Sequence, residues 1–374
     1  MLTAVVGINW GDEGKGRMVD LLSADYDIVC RYQGGNNAGH TVINDHGKIV
    51  LNLLPSGISR EGTVNVMGNG MVIDLEHLVH EIQSLRDKGI HIGPDNLKIS
   101  DKAVICLPWH KMQDIMEEDR LKDKKFGSTR RGIGPVYADK YMKKAIRMGD
   151  LFAPDKLPEK VADLTEWKNL TVRGYGHEPV KAEDILAWLH EFGDPIKPYI
   201  TDVSDYLYDA ATAGENIMFE AQLGALRDIE FGIYPYTSSS CTLAGYATIG
   251  AGIPGLKLDK TIGIMKAYSS CVGEGPFTVE MFGDEAEALR RAGGEYGAAT
   301  GRPRRVGAFD IPASRYGVRM HGADCIALTK MDVLSYMDKI PVCVAYDING
   351  EITEKFPVGE RLNAAKPVFE YMEG

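Results

Sequence analysis

The chain has 374 residues, of which 44% are hydrophobic and 25% charged, enough for a large core and unlike a disordered or fibrous composition. A net charge of -11 argues against a general duplex binder, whose affinity comes from neutralising phosphates with lysine and arginine, so any nucleotide is expected to be bound locally. The six cysteines form no CxxC pair and no apolar run reaches the roughly 18 residues of a membrane span, so a cytoplasmic protein without structural zinc, membrane or nucleic-acid partner is expected.

The N-terminus carries no signal-peptide pattern and runs straight into an apolar segment, Ala4 to Ile8. That segment breaks into the glycine-rich stretch Asn9-Trp10-Gly11-Asp12-Glu13-Gly14-Lys15-Gly16. Met18, Val19, Leu21 and Leu22 then recur at helical spacing, which predicts strand, loop and helix. Such a loop suits a phosphate: glycines let backbone N–H groups converge, the helix N-terminus adds a positive dipole, and Lys15 adds a full charge. It is not the ordinary P-loop, because no Ser or Thr follows Lys15 to meet Mg²⁺; Asp12 is a candidate metal ligand instead.

Asp27 to Arg31 and Ile49 to Leu54 are predicted strands, the second closed by Pro55-Ser56-Gly57. Asp74 is placed to cap a helix whose Leu75, Leu78, Val79, Ile82 and Leu85 share a face, with Gly89 at its end. The charged stretch Glu117 to Lys125 reads as a solvated helix end. Further on, Ile185 to Phe192 reads as helix, Asn216 to Phe219 and Thr261 to Ala267 as strands, Glu285 to Arg291 as helix and Cys325 to Leu328 as strand. The alternation predicts an α/β protein, P-loop-NTPase-like, with a mostly parallel central sheet flanked by helices and the site at the strands' carboxyl ends. No internal repeat or linker interrupts it, so one large domain over 1-374 is expected, with helical excursions at about 75-210 and a shortened C-terminal portion.

Three further segments carry chemistry. Gly127-Ser128-Thr129-Arg130-Arg131 sets hydroxyls beside guanidinium groups in a turn, which suits a 5′-phosphate. Tyr296 to Arg305 clusters Arg302, Arg304 and Arg305 after glycines, which suits a small dicarboxylate. Thr329-Lys330-Met331-Asp332 follows a predicted strand, and its carboxylate can accept from both N1–H and the exocyclic amine of guanine.

Trp10 to Gly16 and Asn37-Ala38-Gly39-His40 together resemble the signatures of the adenylosuccinate synthetase family. The resemblance implies a GTP-dependent ligase that joins L-aspartate to IMP through 6-phosphoryl-IMP, with Mg²⁺ as cofactor and a homodimer as the working form. It implies Asp12 as the base at N1 of IMP, His40 as general acid, and Gln222 as a further catalytic group. GTP would be held by Gly11, Glu13, Gly14, Lys15, Gly16, Thr41, Arg304, Lys330 and Asp332, and Mg²⁺ by Asp12 and the Gly39 carbonyl. IMP would meet Asp12, Asn37, Ala38, Gly39, His40, Thr129, Gln222, Ser238 and Arg302, with Lys143 reaching its phosphate from a neighbouring subunit. Aspartate would meet Ala299, Thr300, Gly301, Arg302 and Arg304.

The sequence departs from that family at several places. Lys143 and Cys271 stand where it has arginines, Ser238 where it has threonine, and Ala221-Gln222-Leu223-Gly224 where it reads Gly-Ala-Gln-Gly, so Gln222 is offset by one. The family continues into a Ser-Thr-Gly turn that completes the guanine pocket, whereas this chain reads to Gly374. A weaker guanine pocket and exposed apolar surface are therefore expected. The same chemistry on a 2-amino purine nucleotide such as dGMP, or GTP binding without synthetase turnover, are the alternatives; retained Asp12 favours IMP.

Overall fold

The apolar N-terminal run becomes the strand Leu2–Gly7, buried along its whole length, inside an 8-stranded sheet. In the computed structural model, which describes residues 1–44, 47–297, 301 and 303–374, the sheet runs in spatial order Cys325–Thr329, Lys260–Lys266, Leu2–Gly7, Ile217–Glu220, Ile28–Arg31, Val64–Met67, Leu97–Ser100 and Ile200–Thr201. Every pairing in it is parallel. The α/β expectation therefore holds. Parallel strands need crossovers, and helices cover both faces, so the strands read as continuous apolar runs.

Alternation along the central strands feeds two cores. Ala4 and Val6 point into one with Ile28, Cys30, Ile217 and Phe219, whereas Val5 joins Val29, Met218, Ile264 and Val19 of the helix Lys15–Leu22. Each fully buried Val, Ile, Met or Phe among them contributes about 1.5–3 kcal/mol over an exposed one. Asp74 caps Leu75–Arg86 as expected, its Oδ1 accepting from the His77 N–H at 3.3 Å.

The predicted strand at Ile49 to Leu54 needs correction. It forms Gly47–Leu51, paired antiparallel with His40–Asn44 in a separate two-stranded hairpin. Only Ile49 and Leu51 turn inward, an alternation that suits a half-solvated ribbon rather than a sheet buried on both faces. Helices dominate the segment at 75–210, yet two strands of the main sheet, Leu97–Ser100 and Ile200–Thr201, also lie in it. A second, mixed sheet joins Phe309–Asp310, Lys339–Ile348, Glu351–Thr353 and Ala365–Glu373. Among the described residues no helix is long and apolar enough to cross a membrane.

Candidate active site

The carboxyl ends of the central strands converge on the glycine-rich loop. Gly14 caps the helix Lys15–Leu22 with φ 95°, a conformation that penalises any Cβ. Gly16 serves another purpose: a Cβ there would fall 2.7 Å from His40 Cβ, so the missing side chain lets the second motif dock on the first. Glu13 is buried and braces the loop, its Oε1 accepting from Asn9 N at 3.1 Å and Gly11 N at 2.8 Å. Its Oε2 lies 2.6 Å from Lys15 Nζ, so the loop's ammonium is held ready inside its own motif.

His40 enters the hairpin directly behind this helix. Its Nδ1 meets Glu220 Oε1 in a short hydrogen bond, and Glu220 stands at the carboxyl end of Ile217–Glu220. The carboxylate also accepts from Ser56 N at 2.7 Å and Ser56 Oγ at 2.5 Å. Burial works to push the Glu220 carboxyl up, but the His40 and Arg31 charges and the Ser56 hydroxyl outweigh it and hold it below its ordinary value. Burial pulls the His40 imidazole down against the opposing pull of Glu220. Donation of Nδ1–H to the ionised carboxylate leaves Nε2 as the working nitrogen. Glu220 and Ser56 were not singled out in the sequence. The signal available for Glu220 was its place as the first polar residue after Ile217-Met218-Phe219, at a carboxyl end in a parallel sheet.

Asp12 meets the arginine-rich segment. Arg304 Nε lies 3.1 Å from Asp12 Oδ2, a charge contact whose angle is not that of a hydrogen bond, and Arg304 Nη1 donates to Glu295 Oε2 at 2.9 Å. Buried Glu295 also accepts from Lys266 Nζ at 2.6 Å and Tyr268 Oη at 2.5 Å. Burial opposes ionisation of Glu295, but Lys266, Tyr268 and Arg304 hold its carboxyl below the usual range. Glu295, Lys266 and Tyr268 thus support Arg304, although no sequence spacing flagged them. Gly301 takes a left-handed φ of 65° and donates its N–H to Gly297 O at 2.8 Å. Ala299, Thr300 and Arg302 lie outside the described residues.

The helix Pro108–Leu121 supports the Thr129 loop with its acidic side. Asp114 accepts from Ser128 Oγ at 2.6 Å and Gly132 N at 2.8 Å, and Glu118 accepts from Phe126 N and Gly127 N at 3.2 Å each. Thr129 stands exposed. Ser238 lies on the neighbouring turn, its N–H donated to Arg227 O at 2.8 Å. Lys143 is exposed with φ 63° and forms no ion pair among the described residues.

Gln222 follows the strand Ile217–Glu220 directly. It is fully buried, its Nε2 donating to Gly35 O at 2.6 Å and to Asn52 O at 3.3 Å, while its Oε1 has no hydrogen-bond partner among the described residues. Leu223 follows with φ 60°, and a Cβ on Gly11 would lie 3.2 Å from its Cα; an apolar side chain therefore borders the phosphate loop where the offset glutamine was sought. Asp12, Arg130, Lys143, Leu223 and Lys330 all carry positive φ without being glycine. Such residues cost about 1–3 kcal/mol each and cluster at working sites.

Thr329 ties the guanine-selecting segment to the phosphate loop, its Oγ1 donating to Glu13 O at 2.9 Å. Lys330 Nζ donates to Gly293 O at 2.9 Å and Asp332 is exposed. Apolar surface stands open beside them, with Ile326 40%, Leu328 44% and Met331 63% exposed. Asn37 Oδ1 accepts from Gly35 N at 3.2 Å, Asn52 Nδ2 donates to Ala38 O at 3.0 Å, and Thr41 lies in the hairpin opposite Val50.

Among the described residues, no group of three or more His, Cys, Asp or Glu is placed to hold a metal. The two groups expected at a metal, the Asp12 carboxylate and the Gly39 backbone oxygen, are both hard donors. That set suits Mg²⁺, which keeps waters and takes its other ligands from substrate phosphates.

A family model described as adenylosuccinate synthetase matches residues 4–374. The adenylosuccinate synthetase of Caldanaerobacter subterraneus subsp. tengcongensis is 45% identical over 375 residues, covering 100% of this chain and 88% of the relative. That of Ligilactobacillus salivarius is 43% identical over 372 residues, covering 99% and 86%. Among solved structures, the fully ligated adenylosuccinate synthetase from Plasmodium falciparum superposes with a TM-score of 0.91 at 36% identity, covering 100% of this chain and 88% of that one. A cyanophage S-2L succinoaminodeoxyadenylate synthetase bound to dGMP and dATP shares the fold at a TM-score of 0.61 and 20% identity, covering 90% and 87%. With a family match over nearly its whole length and relatives of this identity, the chain belongs to the adenylosuccinate synthetase family.

Proposed function

We propose that this chain joins L-aspartate to IMP at the expense of GTP, yielding adenylosuccinate, GDP and phosphate, and that the residues gathered at the sheet's carboxyl edge carry the reaction. The observation that carries the assignment of roles is the apposition of Asp12 and Arg304, a carboxylate base and a guanidinium brought together at 3.1 Å from opposite ends of the chain.

Asp12 removes the N1 proton of IMP, so that the electron pair delocalises onto O6 and makes it the nucleophile toward the γ-phosphorus of GTP. The P–O bond to GDP breaks as the O6–P bond forms. Phosphoryl transfer needs positioning and charge neutralisation more than covalent help. Backbone N–H groups of the loop Gly11 to Gly16 and Lys15 supply the charge, the triphosphate competing with Glu13 for the ammonium. His40, fixed at Nδ1 by Glu220, turns Nε2 to the transferring group; an approaching triphosphate favours its protonation against the pull of burial. In the second half the aspartate amine attacks C6 and phosphate leaves. Thr300, Arg302 and Arg304 hold the aspartate carboxylates, and Ala299 and Gly301 bind the same substrate.

Bound Mg²⁺ supplies charge neutralisation across the phosphate oxygens; Asp12 and the Gly39 carbonyl are the groups that would hold it. Thr129 and Ser238 offer hydroxyls to the IMP phosphate. Lys143, exposed and unpaired among the described residues, suits a contact to that phosphate across a homodimer. Asp332 selects guanine. A cytoplasmic location fits the ordinary soluble composition.

The test is phosphate release by the purified chain with GTP and Mg²⁺, adding IMP, dGMP and aspartate singly and together, with product identified by mass. A succinylated nucleotide formed only with IMP and aspartate supports the assignment. Product from dGMP in place of IMP, or none from either, overturns it.

A further inference from the structure

The buried guanidinium of Arg227 lies outside the chemistry described so far. Arg227 is 7% exposed, and among the described residues it has no carboxylate partner. Its donors go to one short strap of chain instead: Nη2 to Val272 O at 2.6 Å and to Cys271 Sγ at 2.8 Å, and Nη1 to Glu274 O at 3.3 Å. Nη1 also donates to Tyr236 O in a short hydrogen bond, and the Arg227 carbonyl accepts from Ser238 N. One residue therefore grips the Tyr236-to-Ser238 turn from both its side chain and its backbone while holding the 271–275 strap against it.

That strap touches the other phosphate turn as well. A Cβ on Gly127 would lie 3.3 Å from Glu274 N, and one on Gly275 only 2.5 Å from Tyr236 Cγ. Tyr236 in turn sets its ring edge to face with Phe126, centroids 6.4 Å apart, next to the Thr129 loop. On the far side, Arg305 Nη1 donates to Gly275 O at 2.8 Å and Gly273 O at 3.3 Å while its other nitrogens hold Glu280. Successive strap carbonyls are thus taken alternately: 272 and 274 by Arg227, 273 and 275 by Arg305.

We infer that Arg227 is a positioning residue for the IMP phosphate. Its guanidinium locks the Thr129 and Ser238 turns together through the 271–275 strap, and Cys271 provides the small side chain that leaves room for it. The inference rests on the reading that IMP binds these two turns. The arrangement also accounts for the cysteine at 271: a guanidinium occupies this position, but it enters from the 227 side. An arginine at both positions would bury two unpaired cations in contact, which is costly.

The experiment measures IMP binding to the full chain by calorimetry, and steady-state constants for IMP, GTP and aspartate, in the unsubstituted protein, Arg227→Leu, Arg227→Lys and the double variant Arg227→Leu/Cys271→Arg. In Arg227→Leu the Kd and KM for IMP rise by about tenfold or more, well beyond any change in kcat or in the KM for GTP. Arg227→Lys keeps the charge without the fork and recovers only part of the loss, and the double variant, with the guanidinium entering from the strap, recovers most of it. A KM for IMP within about twofold of the unsubstituted protein, a uniform rise for all three substrates, or no recovery in the double variant overturns the inference. Far-ultraviolet circular dichroism and Tm identify a variant that has merely lost its fold, and Arg227→Lys then carries the comparison. Failure of the function itself is a separate result, visible as absence of adenylosuccinate from the unsubstituted chain.

Discussion

Replacing Glu220 by Gln tests whether the buried carboxylate sets the proton affinity of His40. The substitution keeps the size and an acceptor for Ser56 N, but it removes the negative charge in hydrogen-bond contact with Nδ1. A unit-charge pair at about 3 Å with an effective dielectric of about 20 interacts by roughly 5 kcal/mol. Relaxation of the surroundings reduces this, and each increment of about 1.36 kcal/mol that survives is a tenfold loss of proton affinity. Burial already holds His40 below its ordinary value with Glu220 pulling the other way. Loss of Glu220 therefore lowers it further, and the protonated imidazole needed against the phosphoryl group becomes scarcer at neutral pH. The expected result is a fall of kcat of about tenfold or more at pH 7, with the alkaline limb of the kcat profile displaced toward acid. The assay is phosphate release at saturating GTP, IMP and aspartate across the pH range, with IMP binding measured by calorimetry as a check on the fold. A deficit of less than about threefold, or one of equal size at every pH, refutes the reasoning.

Asp12→Ala is expected to abolish turnover while Tm stays within a few degrees, because the side chain is partly solvated and its ion pair among the described residues is to Arg304; appreciable adenylosuccinate formation would remove Asp12 as the base. Glu295→Gln leaves Lys266, Tyr268 and Arg304 without their shared anion, so the KM for aspartate should rise about tenfold, and an unchanged value would detach Glu295 from the aspartate site. His321, buried with Nδ1 accepting from Ala244 N and Nε2 donating to Gly7 O, is lowered from 6.5 to about 4 by burial. The unfolded chain thus binds this proton more readily than the folded one, so the group's stabilisation is complete above pH 6.5 and is lost as pH falls toward 4; by pH 5 the loss is about 2 kcal/mol. Urea unfolding should show His321→Gln losing less stability between pH 7 and pH 5 than the unsubstituted chain, and equal losses would refute the assignment. Chelation of Mg²⁺ should stop phosphate release while leaving IMP binding detectable by calorimetry, and turnover in excess chelator would count against a metal-dependent phosphoryl transfer.

Local signals were the legible ones. The strands Leu2–Gly7, Ile28–Arg31, Ile217–Glu220 and Lys260–Lys266 stood out because a strand buried on both faces must be apolar throughout, and the Asp74 cap because its geometry spans only one turn. The phosphate loop was readable for the same reason: Gly14 needs its left-handed φ from its own residue type. The partners of Gln222 were not legible: its Nε2 meets the Gly35 carbonyl across 187 residues, a contact that no local window contains. Tertiary structure alone decided the partners. His40 meets Glu220 across 180 residues, Asp12 meets Arg304 from the far end of the chain, and Arg227 faces Cys271 across 44. Composition and spacing determine what each segment can form by itself; which charges finally neutralise one another depends on the order in which parallel strands lie side by side, and so on contacts that no local window contains.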